Sequence, residues 1–375
     1  MPFRSRASSD VVRIAGPALV LVLGRGADRA ARRAFRPEEV VPAGGDPGSR
    51  LAQGLLVAVP LEESAPADVR RLLATAQQQD RAVDAVVLGR APSTLPRAAF
   101  RVVTELDGPT FSIERLPAQY DRRELAGPFD VIGDVHGCSE ELLLLLARLG
   151  YEVRLDALGR PAGARHPAGR TAVFLGDLVD RGPDVPGVLR LVLGMLESGN
   201  ALSVLGNHDD KLRRALLGHD VELGRGLDVS LLQLAQEPEA FREAVVGALT
   251  ALPTHLVLDG GDLVVAHAGL AERYQGHESR RVRALCLYGP TSGETDEHGL
   301  PVRLPWAEDY RGAATVVYGH TPTATRQWRN GTVCVDGGCV FGGSLVALQY
   351  PERTFVEVPA VALHSVPSRP FLPAG

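Results

Sequence analysis

The sequence predicts an α/β protein in two parts, and three observations lead there. The first third alternates apolar runs with helical patterns. The remainder carries short apolar runs that end abruptly in polar clusters. The composition, 45% hydrophobic and 23% charged over 375 residues, is that of a globular chain long enough for two cored domains.

In the first part, Ala18–Leu23 reads as a buried strand and Ala27–Phe35 as a helix. Gly54–Val59 is a second strand, Ala67–Gln79 a helix opened by Pro66 and Asp68, and Asp84–Leu88 a third strand. Strand, helix, strand, helix, strand predicts a parallel sheet. The second part begins near residue 128. Phe129–Ile132 runs into Gly133-Asp134, and Ala172–Leu175 into Gly176-Asp177. Leu202–Leu205 runs into Gly206-Asn207, Val264-Val265 into His267, and Thr315–Val317 into Gly319-His320. Glu140–Leu149 reads as a helix capped by Ser139 and stopped by Gly150. The proline-rich end, 359–375, is expected to trail without fixed structure.

Ligands of α/β sheets gather beyond the carboxyl ends of the strands, and here five strand ends deliver metal-type donors to one edge. Asp134 and His136 alternate by two residues, so both reach one ion. Asp177 has two oxygens and is able to bridge two ions. Mixed Asp, Asn and His donors suit Mn, Fe, Ni or Zn better than Mg or Ca. Each glycine beside a donor lets the backbone turn sharply. A lone Asp-x-His or strand-end His is ordinarily structural; five glycine-flanked clusters in register are not. Two such ions clamp a phosphate and acidify a shared water. A non-ligating His would then protonate the leaving oxygen, and an Arg would grip phosphate oxygens with its planar fork.

The order GDVHG, GDLVDRG, GNHD, HAG and YGHTP resembles the calcineurin-like metallophosphoesterases, in the branch of Ser/Thr protein phosphatases and diadenosine tetraphosphate hydrolases. GPFDVIGDVHGC, LYGPTSGE, VYGHTPT and DGGCVFGG with the following YPER look closer still to the phosphatase domain of bacterial polynucleotide kinase-phosphatase, over 128–358. The resemblance implies a β-sandwich flanked by helices and two divalent ions, Mn expected. Asp134, His136 and Asp177 would bind the first ion, and Asn207, His267 and His320 the second, with Asp177 shared. His208 would be the general acid, oriented by Asp180. Arg181 would hold the phosphate, with Lys211 and Asp336 as further substrate contacts; a surface lysine and a turn aspartate are the plainer alternatives. Pro290 and Gly337 depart from the pattern, where Asp and Thr are usual, and put substrate specificity in question.

Residues 1–127 resemble, more weakly, the P-loop kinase domain that precedes the phosphatase in that family. The likeness rests on Ala30–Val41, the strand spacing, and Glu114-Arg-Leu-Pro leading to Gly127-Pro128. A working P-loop needs Gly-x-x-x-x-Gly-Lys-Ser/Thr. Leu23-Gly-Arg-Gly-Ala-Asp-Arg-Ala30 is too short and has no lysine; the single lysine of the chain is Lys211. A degenerate kinase-like domain without kinase activity is expected, serving as packing or as a binding surface for a polynucleotide or a protein.

The family's ligase part has no counterpart here, so a separate ligase or RNA-repair partner is expected. Net charge −5 is not the footprint of a protein that holds nucleic acid by charge alone. No apolar run is long enough to span a membrane, no export signal is evident, and the four cysteines form no CxxC pair. A reducing, cytoplasmic setting is expected. The function expected is hydrolysis of a phosphate ester, at a 3′-phosphate or 2′,3′-cyclic polynucleotide end. A protein phosphatase or dinucleoside polyphosphate hydrolase is the alternative, and a binding module the alternative of another class.

Overall fold

The computed structural model describes residues 11–62 and 65–368. They form two compact units: 11–119 together with 277–283, and 120–276 together with the chain from 284 onward. The division falls at 119, eight residues before the boundary expected from the sequence.

The first unit is built on a four-stranded parallel sheet in the order Val57–Leu61, Ala18–Leu23, Ala82–Leu88, Val102–Leu106. Ala18–Leu23 is buried at every position, because alternate residues serve opposite faces. Leu19, Leu21 and Leu23 pack with Val69 and Leu72 of the helix Pro66–Gln78. Val20 and Val22 pack with Ala27, Ala30 and Ala31 of the helix Ala27–Ala34. The parallel sheet expected from the sequence is present, with a fourth strand that half-exposed Val102–Leu106 did not announce. At the turn where a P-loop would grip phosphate, the Glu62 carboxylate accepts bonds from Gly26 N (2.6 Å) and Asp28 N (3.1 Å). A resident carboxylate thus occupies the amides of that helix N-terminus.

The second unit is a sandwich of two sheets. One has the order Ala201–Ser203, Thr171–Phe174, Phe129–Ile132, Ser344–Tyr350, Thr354–Pro359; its first three strands are parallel and the last two antiparallel. The other runs Trp328–Arg329, Thr332–Cys334, Thr315–Tyr318, Leu263–Ala266, His255–Leu258, Asp121–Arg122. Phe129, Val131, Val173 and Leu348 meet Leu256, Val265, Val317 and Val333 between the sheets. On the outer face of the first sheet, Ile132, Ala172 and Phe174 pack under helices Ser139–Leu149 and Val185–Glu197. Alternation along one strand therefore serves both cores.

Asp130, on that outer face, is wholly buried and receives Arg170 Nε (2.9 Å) and Tyr151 OH (2.9 Å). Gly150 ends its helix in the left-handed conformation as expected, but Cys138 holds the N-cap position and Ser139 is the first helical residue. The end of the chain also differs from expectation. Residues 360–365 are tied to the sandwich by hydrogen bonds, while 369–375 lie outside the described residues. No described helix is long and apolar enough to cross a membrane.

Candidate metal centre

The strand ends converge as the spacing implied. Parallel pairing in register places Ile132 beside Phe174, so Asp134 and Asp177 leave neighbouring strands at one edge. Leu263–Ala266 pairs with Thr315–Tyr318 and brings His267 beside His320. Five of the residues expected at the site adopt positive φ: His136 (46°), Asp177 (46°), Asp180 (71°), Arg181 (71°) and His320 (70°). For residues with a Cβ this is a strained backbone, and such strain collects where side-chain aim matters. Gly319 packs directly on a donor: a Cβ there would lie 2.1 Å from Asp134 Oδ1.

Each imidazole is aimed by its own hydrogen bond. His136 Nδ1 donates to Val179 O (2.7 Å) and His267 Nδ1 to Leu175 O (3.0 Å), which turns both Nε2 atoms inward. His267 Nε2 lies 2.9 Å from Asn207 Oδ1 and 2.9 Å from His320 Nδ1. Asp177 Oδ2 lies 3.6 Å from His136 Nε2 and 3.4 Å from His267 Nε2, so one oxygen faces both donor groups. His320 N donates to Asp134 Oδ2 (3.1 Å), while Asp134 Oδ1 and His320 Nε2 are buried without a partner.

These donors fit two divalent cations. Burial, then the Arg181 charge, holds His136 well below the ordinary histidine range, and burial takes His267 down to about 3. Both rings are therefore neutral at pH 7. With Nδ1–H committed to a carbonyl, His267 Nε2 presents a lone pair to another acceptor, Asn207 Oδ1, at contact distance. A cation bound by both satisfies both. Bonds of about 2.0–2.2 Å at right angles would place neighbouring donors about 3 Å apart, close to the spacing seen. The carboxylates make the same demand. Burial and the Asp336 and Asp177 charges raise Asp134 well above its ordinary range. Asp177 is raised likewise by burial and Asp209, and burial lifts Asp336 to about 6. Such a cluster is stable as anions when positive charge sits among it.

Around this cradle lies an acid-base apparatus. His208 Nδ1 is 2.6 Å from Asp180 Oδ2, and Asp180 Oδ1 accepts from Ser230 Oγ at 2.6 Å. His208 Nε2 points into the site, 2.9 Å from Arg181 Nη2. Arg181 Nη1 is 2.6 Å from His136 Nε2, and the guanidinium lies over the Phe341 ring at 5.1 Å. Asp209 holds the loops by accepting from Leu178 N (2.9 Å) and Gly206 N (3.0 Å). A cavity of about 200 Å³ opens on His136, Asp177, Arg181, Asn207, His208, His320 and Asp336.

Lys211 does not line this cavity. It sits partly exposed on the helix Asn207–Leu216, and its charge reaches Asp180 and His208 through space. Arg225, Arg303 and Phe341 do line it, although sequence reasoning passed over them. In a chain so rich in arginine, none of these carries a local signal. Pro290 lies at a neighbouring cavity, with Trp306 and Tyr318. Gly337 has a packing reason: a Cβ would approach Ser344 O to 2.2 Å, so this backbone has no room for the threonine usual in the pattern.

Fold and site together define a phosphoesterase of the metal-dependent kind. A model of the calcineurin-like phosphoesterases matches residues 127–324, and the chain belongs to that family. Among its relatives is the asymmetrical bis(5′-nucleosyl)-tetraphosphatase PrpE of Anoxybacillus flavithermus. It is 42% identical over 236 residues, covering 62% of this chain and 94% of the relative. The protein of the same name from Geobacillus thermodenitrificans is 41% identical over 239 residues, covering 63% and 95%. That of Bacillus subtilis is 40% identical over 236 residues, covering 62% and 94%. These relatives are not kinase-phosphatases, which corrects the narrower resemblance drawn from LYGPTSGE and DGGCVFGG. The family match begins at residue 127 and gives the first unit no P-loop kinase relation.

Proposed function

We propose that this chain is a divalent-metal-dependent dinucleoside polyphosphate hydrolase. One observation carries the reading beyond the family. Arg181, Arg225 and Arg303 line the same cavity as the metal donors, a concentration of cations suited to several linked phosphates rather than one. The names of the relatives agree with it.

Asp134, His136 and Asp177 would hold one ion, and Asp177, Asn207, His267 and His320 the other, with Mn the expected metal. When bound, the two ions supply a phosphate clamp and an activated water. Arg181 offers its planar fork to the phosphate oxygens. Asp180 fixes the His208 ring through Nδ1, leaving Nε2 to hand a proton to the departing phosphate oxygen.

A second reading is hydrolysis of 3′-phosphate or 2′,3′-cyclic phosphate ends of a polynucleotide. It draws on the exposed antiparallel pair Thr291–Thr295 and Pro301–Arg303, which begins in LYGPTSGE and whose last residue, Arg303, reaches the cavity. The first unit we take to be without kinase activity, given Glu62 on the turn amides. The deciding experiment offers the Mn-loaded protein diadenosine tetraphosphate, a 3′-phosphorylated oligonucleotide, a 2′,3′-cyclic nucleotide and a phosphopeptide, with Asp177→Ala as control. Turnover of the tetraphosphate to a nucleoside triphosphate and monophosphate is expected. Turnover confined to the oligonucleotide or the phosphopeptide would overturn the reading.

A further inference from the structure

Residues 360–368 run back across the second unit and reach the metal centre. Ala360 N donates to Gly343 O (2.8 Å), and His364 N and Ser365 N both donate to Val340 O (3.1 and 2.9 Å). Leu363 forms a bridge with Phe341. The deepest attachment is Glu141, wholly buried in the first turn of its helix. Its Oε1 accepts from Val361 N (3.0 Å) and from His364 Nε2 (3.1 Å). A carboxylate is costly to bury without donors, so the seat of Glu141 and the docking of this strap depend on each other. The four residues after the anchor, Ser365–Ser368, line the cavity that holds the metal donors.

The cavity thus has two chemistries. One side is cationic and carries Arg181, Arg225 and Arg303. Its lining also has an apolar part, with Val366 and Pro367 from the strap and Leu300 and Pro322 from elsewhere in the unit. Val366, just past the last of these hydrogen bonds, exposes 79% of its surface. Phosphate alone has no use for such a lining. A phosphate ester whose next group is a flat, partly apolar ring does.

We propose that residues 360–368 form the nucleoside-binding wall of the site, with Val366 and Pro367 packing against the sugar and base next to the scissile phosphate. This rests on the reading that the substrate is a nucleotide ester, and it adds where the nucleoside sits. Glu141 and His364 are positioning residues, since they act through the strap.

The test uses the full chain, Val366→Asp, and a chain ended after Ala360. Two p-nitrophenyl diesters with one leaving group are compared, thymidine 5′-(p-nitrophenyl phosphate) and methyl p-nitrophenyl phosphate. The wild type is expected to favour the thymidine ester through KM. Both variants should lose at least about tenfold of that preference, as losses of apolar pocket contact do, through KM on the thymidine ester rather than through a kcat loss shared by both esters. If truncation prevents folding, Val366→Asp, a change at an exposed side chain, decides alone. An unchanged preference in Val366→Asp overturns the proposal, as does equal loss of kcat on both esters. Failure of the dinucleoside reading shows separately, as an intact tetraphosphate in the wild-type reaction, while the ester ratio still reports on the wall.

Discussion

Adding one methyl group at Gly319 tests the cradle most directly. The residue does not need left-handed backbone, so alanine is tolerated by its main chain. The new Cβ would stand 2.1 Å from Asp134 Oδ1, whereas ordinary contact begins at 3.4 Å. The carboxylate oxygen must therefore retreat by about 1.3 Å. That oxygen is the buried one without a partner, the one free to bind an ion. Overpacking of this kind costs about 1–3 kcal/mol of stability, and a misplacement of about 1 Å in a catalytic group costs about 100-fold in rate. Gly319→Ala should thus fold, lose metal at the site holding Asp134, and turn over p-nitrophenyl diesters at least about 100-fold more slowly. Gly247→Ala is the matched control. It lies in the helix Glu239–Ala251 with nothing within 4 Å of the added carbon, and should gain about 0.5–1 kcal/mol. Kinetics with Mn and metal content by mass spectrometry make the measurement. A Gly319→Ala protein with wild-type kcat and full metal content would refute the reasoning.

Other outcomes follow from the same structure. Asp180→Asn should lower kcat by about 100- to 10,000-fold for poor leaving groups such as alkyl alcohols and much less for p-nitrophenol, which needs no proton; equal losses would remove His208 from the acid role. Removing divalent metal with a chelator should lower the thermal midpoint, because Asp134, Asp177 and Asp336 lose their counter-charge. Restoring metal at about 100 times its dissociation constant should return about 2.7 kcal/mol for each ion bound, and Asp177→Ala should not respond. Arg170→Ala should cost about 3–5 kcal/mol in denaturant unfolding, since it strands the buried Asp130 carboxylate; a loss under about 1 kcal/mol would mean that Tyr151 and Gln349 suffice. Finally, the protein with ATP and a 5′-hydroxyl oligonucleotide should give no labelled product, because Glu62 holds the amides that a phosphate would need.

The cradle was legible because its signals are local. Asp134 and His136 sit two apart, Asp177 precedes Asp180-Arg181 by a fixed step, and Asn207-His208-Asp209 is contiguous, so short strings carry the chemistry. Ser230, Arg225, Arg303 and Phe341 reach the site from distant loops and helices. Their sequence neighbours are ordinary, and tertiary packing alone gives them a role. The strap misled for a related reason. Its prolines read as loose chain, yet its anchor is Glu141, more than 200 residues earlier. The four-stranded sheet of the first unit was visible where runs are wholly buried, as in Ala18–Leu23. It was invisible at Val102–Leu106, where exposure blurs the pattern.

The segment 277–283 belongs to the first unit although it is encoded far into the second. Arg101, paired with Asp84 at 2.6 Å, takes Glu278 as its other partner at 2.7 Å, and Asp80 receives Ser279 Oγ at 3.1 Å. A ribosome releases those residues only after most of the phosphoesterase strands have emerged. The first unit is therefore begun before the second and finished within it, with a buried Asp84 whose arginine lacks its second carboxylate until then. Expression of 1–119 alone would yield a unit missing its own last piece, and the two halves of this protein cannot be separated by a single cut.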